Sequence, residues 1–138
     1  MTYEEDKHMK IFFAYLDIFV RSKLLPEAIR DLTYHPANGG KRNPREAAKF
    51  KKMGVRPGIP DIVLPVPSGK YPSLYIELKP PIVTGVPKPR VSKEQKKKIE
   101  QLISFGNDAS VQFGYKNTIK KYMDYLGYDE SDYKDILK

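Results

Sequence analysis

Apolar residues change their spacing several times along this chain, and each change marks an element. From Glu4 to about Lys23, Phe12, Tyr15, Leu16 and Phe19 recur every three or four residues, which predicts an amphipathic helix with one buried stripe. Pro26 stops or restarts the chain, and Arg30 to His35 reads as a first strand. Asn43-Pro44-Arg45-Glu46 is a helix start, with Asn as cap and Pro at the first helical position. That helix should end at Met53, with Gly54 as its stop. Asp61 to Val66 and Ser73 to Lys79 are rich in Ile, Val, Leu and Tyr, and the Pro/Ser/Gly/Lys/Tyr/Pro segment between them carries a turn, so the pair predicts a β-hairpin. Four prolines then stiffen Pro80 to Arg90. Ser92-Lys93-Glu94-Gln95 is a capping box for a helix reaching about Phe105, with Ile99, Leu102 and Ile103 as its apolar stripe. Ala109 to Tyr115 reads as a further strand, and Asn117 caps a last helix that buries Ile119, Tyr122, Met123 and Leu126. The order helix, strand, helix, hairpin, helix, strand, helix is that of an α/β fold.

The hairpin also places polar groups. Side chains alternate across a strand, so Tyr75, Glu77 and Lys79 share one face, about 6 to 7 Å from one to the next. A turn centred near Gly69 makes paired residue numbers sum to about 138 to 140 and sets Asp61 opposite Glu77 or Lys79. An even sum puts all three charged groups on one face; an odd sum separates them. Two carboxylates and an ammonium on one face suit a hard divalent cation, with the lysine turned to a water or a phosphate. The alternative is that these are strand-end charges meeting water. In the first helix Glu5 projects onto the buried stripe, whereas Glu4 lies about 100° away. Glu5 either looks inward or answers the helix dipole. His8 lies off the centre of the stripe and reads as a surface histidine. Gln95, one turn before Ile99, serves as a cap, as a site residue, or both.

Composition narrows the class. The 138 residues amount to one domain, and the absence of cysteine excludes a disulfide framework, a thiolate metal site and a Cys nucleophile. Ile11 to Val20 is too short, and broken by Asp17, for a signal peptide or a membrane span, so an intracellular setting is expected. Net charge is +8, unevenly spread. Pro36 to Pro60 holds seven basic residues and one acid, Lys88 to Glu100 six and two, while residues 124 to 138 hold two bases and five acids. A basic body with an acidic tail points to a polyanion partner, most often nucleic acid, or is merely a soluble basic surface; without a spanning segment no membrane partner is expected. Two histidines are a poor basis for an HNH-type metal site, and no Arg/His constellation accompanies a tyrosine nucleophile. A non-catalytic nucleic-acid binder and a protein-interaction scaffold are the alternatives to an enzyme.

The chain resembles the VRR-NUC domain, the virus-type replication and repair nuclease branch of the PD-(D/E)xK superfamily. The likeness rests on N-G-G-K-R at 38 to 42, on the run from Ala47 or Ala48 through G-V-x-P-G-I-P-D up to Asp61, on I-E-L-K at 76 to 79, and on S-x-x-Q at 92 to 95. It implies a restriction-endonuclease-like core, a mixed sheet of four to five strands flanked by helices, over residues 1–127, with 128–138 as an acidic tail. It implies a Mg2+- or Mn2+-dependent deoxyribonuclease that is selective for branched, flapped or junction DNA, acts in replication, recombination or repair, works as a homodimer and needs no organic cofactor. Asp61, Glu77 and the main-chain carbonyl of Leu78 would hold the metal, and Lys79 would position or activate the attacking water. Glu5 would add a ligand or orient a water, and Gln95 would steady the lysine or the phosphate. The Asn38, Gly39 and Gly40 loop would touch DNA at the rim. Lys41, Arg42, Arg45, Lys49, Lys52, Arg56 and Lys93 are the accompanying candidates for phosphate contact.

Overall fold

The computed structural model describes residues 2–37 and 43–137. Helix α1 (Tyr3–Arg21) opens with a capping box: Glu5 N–H donates to Thr2 Oγ1, and Thr2 N–H donates to the Glu5 carboxylate. Its stripe of Phe12, Leu16 and Phe19 is fully buried, and Met9 joins it. The stretch expected to be a first strand folds otherwise. Pro26 caps a short helix α2 (Glu27–Leu32), and the strand shrinks to one antiparallel bridge between Tyr34 and Val63. Pro fits just before the first helical turn, where a missing N–H costs nothing, so the residues after it continue as helix. Helix α3 (Pro44–Lys52) starts as expected, with Asn43 accepting from Glu46 N–H, and it stays solvated along its length.

The sheet has three strands in the order β1 (Ile62–Leu64), β2 (Leu74–Lys79) and β3 (Asp108–Phe113), fewer than the four or five expected. β1 and β2 are antiparallel and β2 and β3 parallel. A parallel pair needs a crossover, and helix α4 (Lys93–Ser104), with its Ser92–Gln95 capping box, supplies it. Its apolar stripe is shallower than expected: Leu102 is half-buried, and Ile103 is 52% exposed.

Helix α5 (Tyr115–Tyr125) begins two residues before Asn117, directly after β3. Gly114, at φ +84°, makes the turn, and Asn117 donates back to the Phe113 carbonyl instead of capping. The acceptor for the first N–H of α5 comes from far away in sequence, since Tyr115 N–H donates to His8 Nδ1 at 3.0 Å. His8 is therefore buried, not a surface residue. Neutral imidazole is the form that can accept this bond, and burial holds the His8 pKa below its usual value, against the pull of Glu4.

One core joins α1, the inner face of the sheet and α5. The acidic terminus is part of it: a 3₁₀ turn (Glu130–Asp132) brings Tyr133 to 1% exposure against Phe19, and Tyr128 donates to the Leu24 carbonyl. Among the described residues no helix is long and apolar enough to cross a membrane.

Candidate active site

The register of the hairpin decides whether there is a site. Ile62 pairs with Ile76, Val63 with Tyr75 and Leu64 with Leu74, so partners sum to 138. The sum is even, and Asp61 falls opposite Glu77. Leu78 N–H, next in the strand, donates to Asp61 Oδ2 at 2.8 Å, which fixes the carboxylate across the end of the ladder. Behind it, His35 Nδ1 lies 2.6 Å from the Asp61 carbonyl oxygen. A carbonyl only accepts, so the His35 proton is on Nδ1. His35 thus ties the chain before α3 to the backbone of the site. No period or spacing singles it out in the sequence, because its bond is to a main-chain atom 26 residues away.

Glu77 is 3% exposed. Burial is the largest influence on it, followed by a hydrogen bond to Asp61 and the Asp61 charge, with Glu5 adding to the same effect and Lys79 opposing it. Its carboxyl is pushed up to about 10. Glu77 consequently keeps a proton, because burial and the neighbouring Asp61 carboxylate both oppose a second bare charge there. Lys79, 7% exposed, points along the same face, and its Nζ lies 3.7 Å from Glu5 Oε1. The other Glu5 oxygen is the one held by Thr2 N–H. Glu5 is therefore both the cap and an inward acid: the first turn of α1 holds a carboxylate against the site lysine.

Beyond Lys79 an open groove of about 490 Å3 is lined by Lys79, Arg90, Ser92, Lys93, Glu94 and Gln95. Gln95 Oε1 accepts from Ser92 N–H at 2.9 Å, so the amide is a cap and a groove residue at once. Arg90 was not singled out by sequence; its only signal was membership of the basic run from Lys88 to Glu100. Gly58, at φ +77°, lets the G-I-P-D loop lie against the start of α4. A Cβ there would sit 2.5 Å from the Glu94 carbonyl carbon and 2.9 Å from Gln95 N. That close approach holds the loop leading to Asp61 against the first turn of α4, which carries Gln95.

Asp61, Glu77, Lys79, Glu5 and Gln95 are thus gathered around one strand end, with Lys93 beside them. Arg45, Lys49 and Lys52 are exposed on α3, and none of them or Arg56 lines the groove. Asn38, Gly39, Gly40, Lys41 and Arg42 lie outside the described residues. Among the described residues no three His, Asp or Glu side chains converge as a ligand set. Glu5 enters through Lys79, so the acidic side chains that could hold a cation at this strand end are Asp61 and Glu77. These two fit a divalent ion: they are opposed carboxylates, one of them carrying a proton that a cation would replace.

A mixed sheet with a buried Glu, a half-buried Asp opposite it and a lysine at one strand end is a nuclease-type arrangement. The VRR-NUC domain family model matches residues 27–114, more than half of the chain, and the chain belongs to that family. Among solved structures, a protein described as a VRR_NUC domain protein is similar over 91% of this chain and 90% of its own length, with a TM-score of 0.70 and 28% identity. No curated protein matches.

Proposed function

We propose that this chain is a metal-dependent DNA nuclease that hydrolyses phosphodiester bonds and prefers branched, flapped or junction DNA. The observation that carries the reading is the even register of the hairpin, which sets Asp61 opposite Glu77 with Lys79 next on the same face, at the head of a basic groove. A bound Mg2+ or Mn2+ would neutralise charge building on the phosphate and acidify a water. Asp61 and Glu77 would hold that ion, the Glu77 proton leaving as it enters, with main-chain oxygen from Leu78 available on the same strand. Lys79, steadied by Glu5, donates to the attacking water and to a non-bridging phosphate oxygen. Gln95 keeps the groove edge beside Lys79, while Arg90 and Lys93 take neighbouring phosphates as point charges. Water attacks phosphorus in line, the P–O bond to the leaving sugar breaks, and the proton lost by the water ends on that sugar oxygen. A homodimer, which would present two such sites to a branched substrate, is part of the proposal; light scattering of the purified protein tests it.

Labelled linear, flapped, splayed and four-way DNA, incubated with Mg2+, Mn2+ or EDTA, tests the activity. Cleavage should require the metal and fall by about 10²- to 10³-fold in Lys79→Ala. Binding without cutting under any metal, in wild type and variant alike, refutes the nuclease and leaves a non-catalytic DNA-binding module.

A further inference from the structure

A second hollow lies beside the candidate site, on the side away from the groove. It measures about 320 Å3 and is walled by Ile59, Pro60, Tyr75, Leu102 and Phe105. Gln101, Asn107 and Lys98 bring two amides and a cation to it. Its position follows from the strand. Tyr75, Glu77 and Lys79 share one face of β2, so the hollow at Tyr75 and the groove at Lys79 lie on opposite sides of Glu77, each about 6 to 7 Å from it. Helix α4 spans both, with Gln95 at the groove and Leu102 at the hollow, about 10 Å apart along its axis. Ile59 and Pro60 lead straight into Asp61. Phe105, at the C-cap of α4, is 85% exposed, far more than a phenylalanine with a packing role.

We infer that this hollow binds one unpaired nucleobase of the substrate strand, next to the phosphate that lies at Asp61 and Glu77. The inference rests on the nuclease reading for its phosphate and goes beyond it in naming the substrate feature that is selected. A base has apolar faces, a hydrogen-bonding edge and an anionic tether. The hollow supplies aromatic and aliphatic walls, two amides and a lysine, within a basic surface that continues to Arg90 and Lys93. A base inside a duplex has both faces covered by its neighbours and its edge taken by its partner, so it cannot enter. The site therefore favours a strand whose nucleotide beside the scissile phosphate is already out of the stack, as at a flap or a splayed end.

The test is binding in EDTA, by fluorescence anisotropy, to labelled duplex and flapped DNA. A set of flapped DNAs carries a single abasic residue at successive positions across the junction. Phe105→Ala should weaken binding to the intact flap by about 5- to 100-fold and leave duplex binding unchanged, and Phe105→Trp should restore it. One abasic position should weaken wild type by a similar factor and cost Phe105→Ala nothing more. Equal losses on duplex and flap, or a flat abasic scan, overturn the subsite. So does loss of self-association in Phe105→Ala with unchanged DNA affinity, which would assign the hollow to a second copy of the chain. If the protein cuts nothing while the Phe105 and abasic effects are present and overlap, the base subsite stands and the nuclease reading falls.

Discussion

Glu77→Gln in metal-free protein tests the electrostatics of the site without any catalysis. The wild-type carboxyl is held up to about 10 by burial and by Asp61, against 4.5 in an unfolded chain. Between those values the folded state keeps one proton that the unfolded state has released. Stability to unfolding then falls as pH rises, by about 1.4 kcal/mol per unit for that proton. From pH 7 to 9 the loss is about 2.7 kcal/mol, a sizeable part of the roughly 5 to 15 kcal/mol that holds a domain folded. Glutamine can still donate to Asp61 and has no proton to lose. The window avoids most of the His8 titration, because its folded pKa is depressed and above pH 7 an unfolded histidine is also mostly neutral.

Urea unfolding in EDTA at pH 7, 8 and 9 reads the effect. With m of about 1 to 3 kcal/mol per molar, the wild-type midpoint should drop by about 1 to 3 M across the window relative to Glu77→Gln. The variant should be the more stable protein at pH 9. Saturating Mg2+ should remove the wild-type slope, because the cation takes the place of the proton. Parallel pH profiles in the two proteins would refute the reasoning: Glu77 would then be ionised at neutral pH, and the pull of Lys79 would outweigh burial.

Other expectations concern the frame around the site. Gly58→Ala puts a methyl group 2.5 Å from the Glu94 carbonyl carbon at a positive φ, so it should cost at least about 2 kcal/mol in thermal unfolding and lower activity with it, since the loop and α4 must separate. His8 should titrate below 6.5 by NMR, and the Tyr115 amide signal should move with it. Because its folded pKa is depressed, its contribution to stability is complete above pH 6.5 and is lost as pH falls from there through the lower folded pKa, a trend His8→Gln should flatten. Tyr133→Phe should leave stability equal or raise it by up to about 1 kcal/mol, because the buried Tyr133 hydroxyl has no partner among the described residues, whereas Tyr133→Ala should cost about 3 kcal/mol or more.

What could be read from the sequence was whatever depends on short periods. The period of two in Y-I-E-L-K fixes which side chains share a face, and the turn near Gly69 needed only the right parity to bring Asp61 to Glu77; both are local. The caps at Asn43 and Ser92 were legible for the same reason, a side chain reaching a backbone N–H three residues on. The expected strand at Arg30 to His35 failed because a strand exists only with partners. Tyr34 finds one at Val63, while the residues before it complete a helical turn begun at Pro26. His8, His35 and the true start of α5 were hidden for a related reason: their hydrogen bonds join residues 26 to 107 positions apart.

The same distinction accounts for α4. Its helical spacing marked Ile103 as core, yet a crossover helix over a three-stranded sheet has only a narrow surface to cover, and among the described residues no fourth strand buries the rest. Ile103 and Phe105 are left in water at the helix end nearest Tyr75. The two ends of α4 are anchored differently. Its first turn is locked onto the G-I-P-D loop through Gly58, where a missing Cβ allows backbone contact, while its last turn ends in an exposed aromatic side chain. A locked end beside Asp61 and Lys79 suits chemistry that tolerates little displacement. An open apolar end two residues along the strand suits recognition, which can accept any base with a free face. On the proposed reading, one helix would relate the place of bond breaking to the place where the strand is bound, and the apolar end that a narrow sheet leaves uncovered is the part free to meet a base.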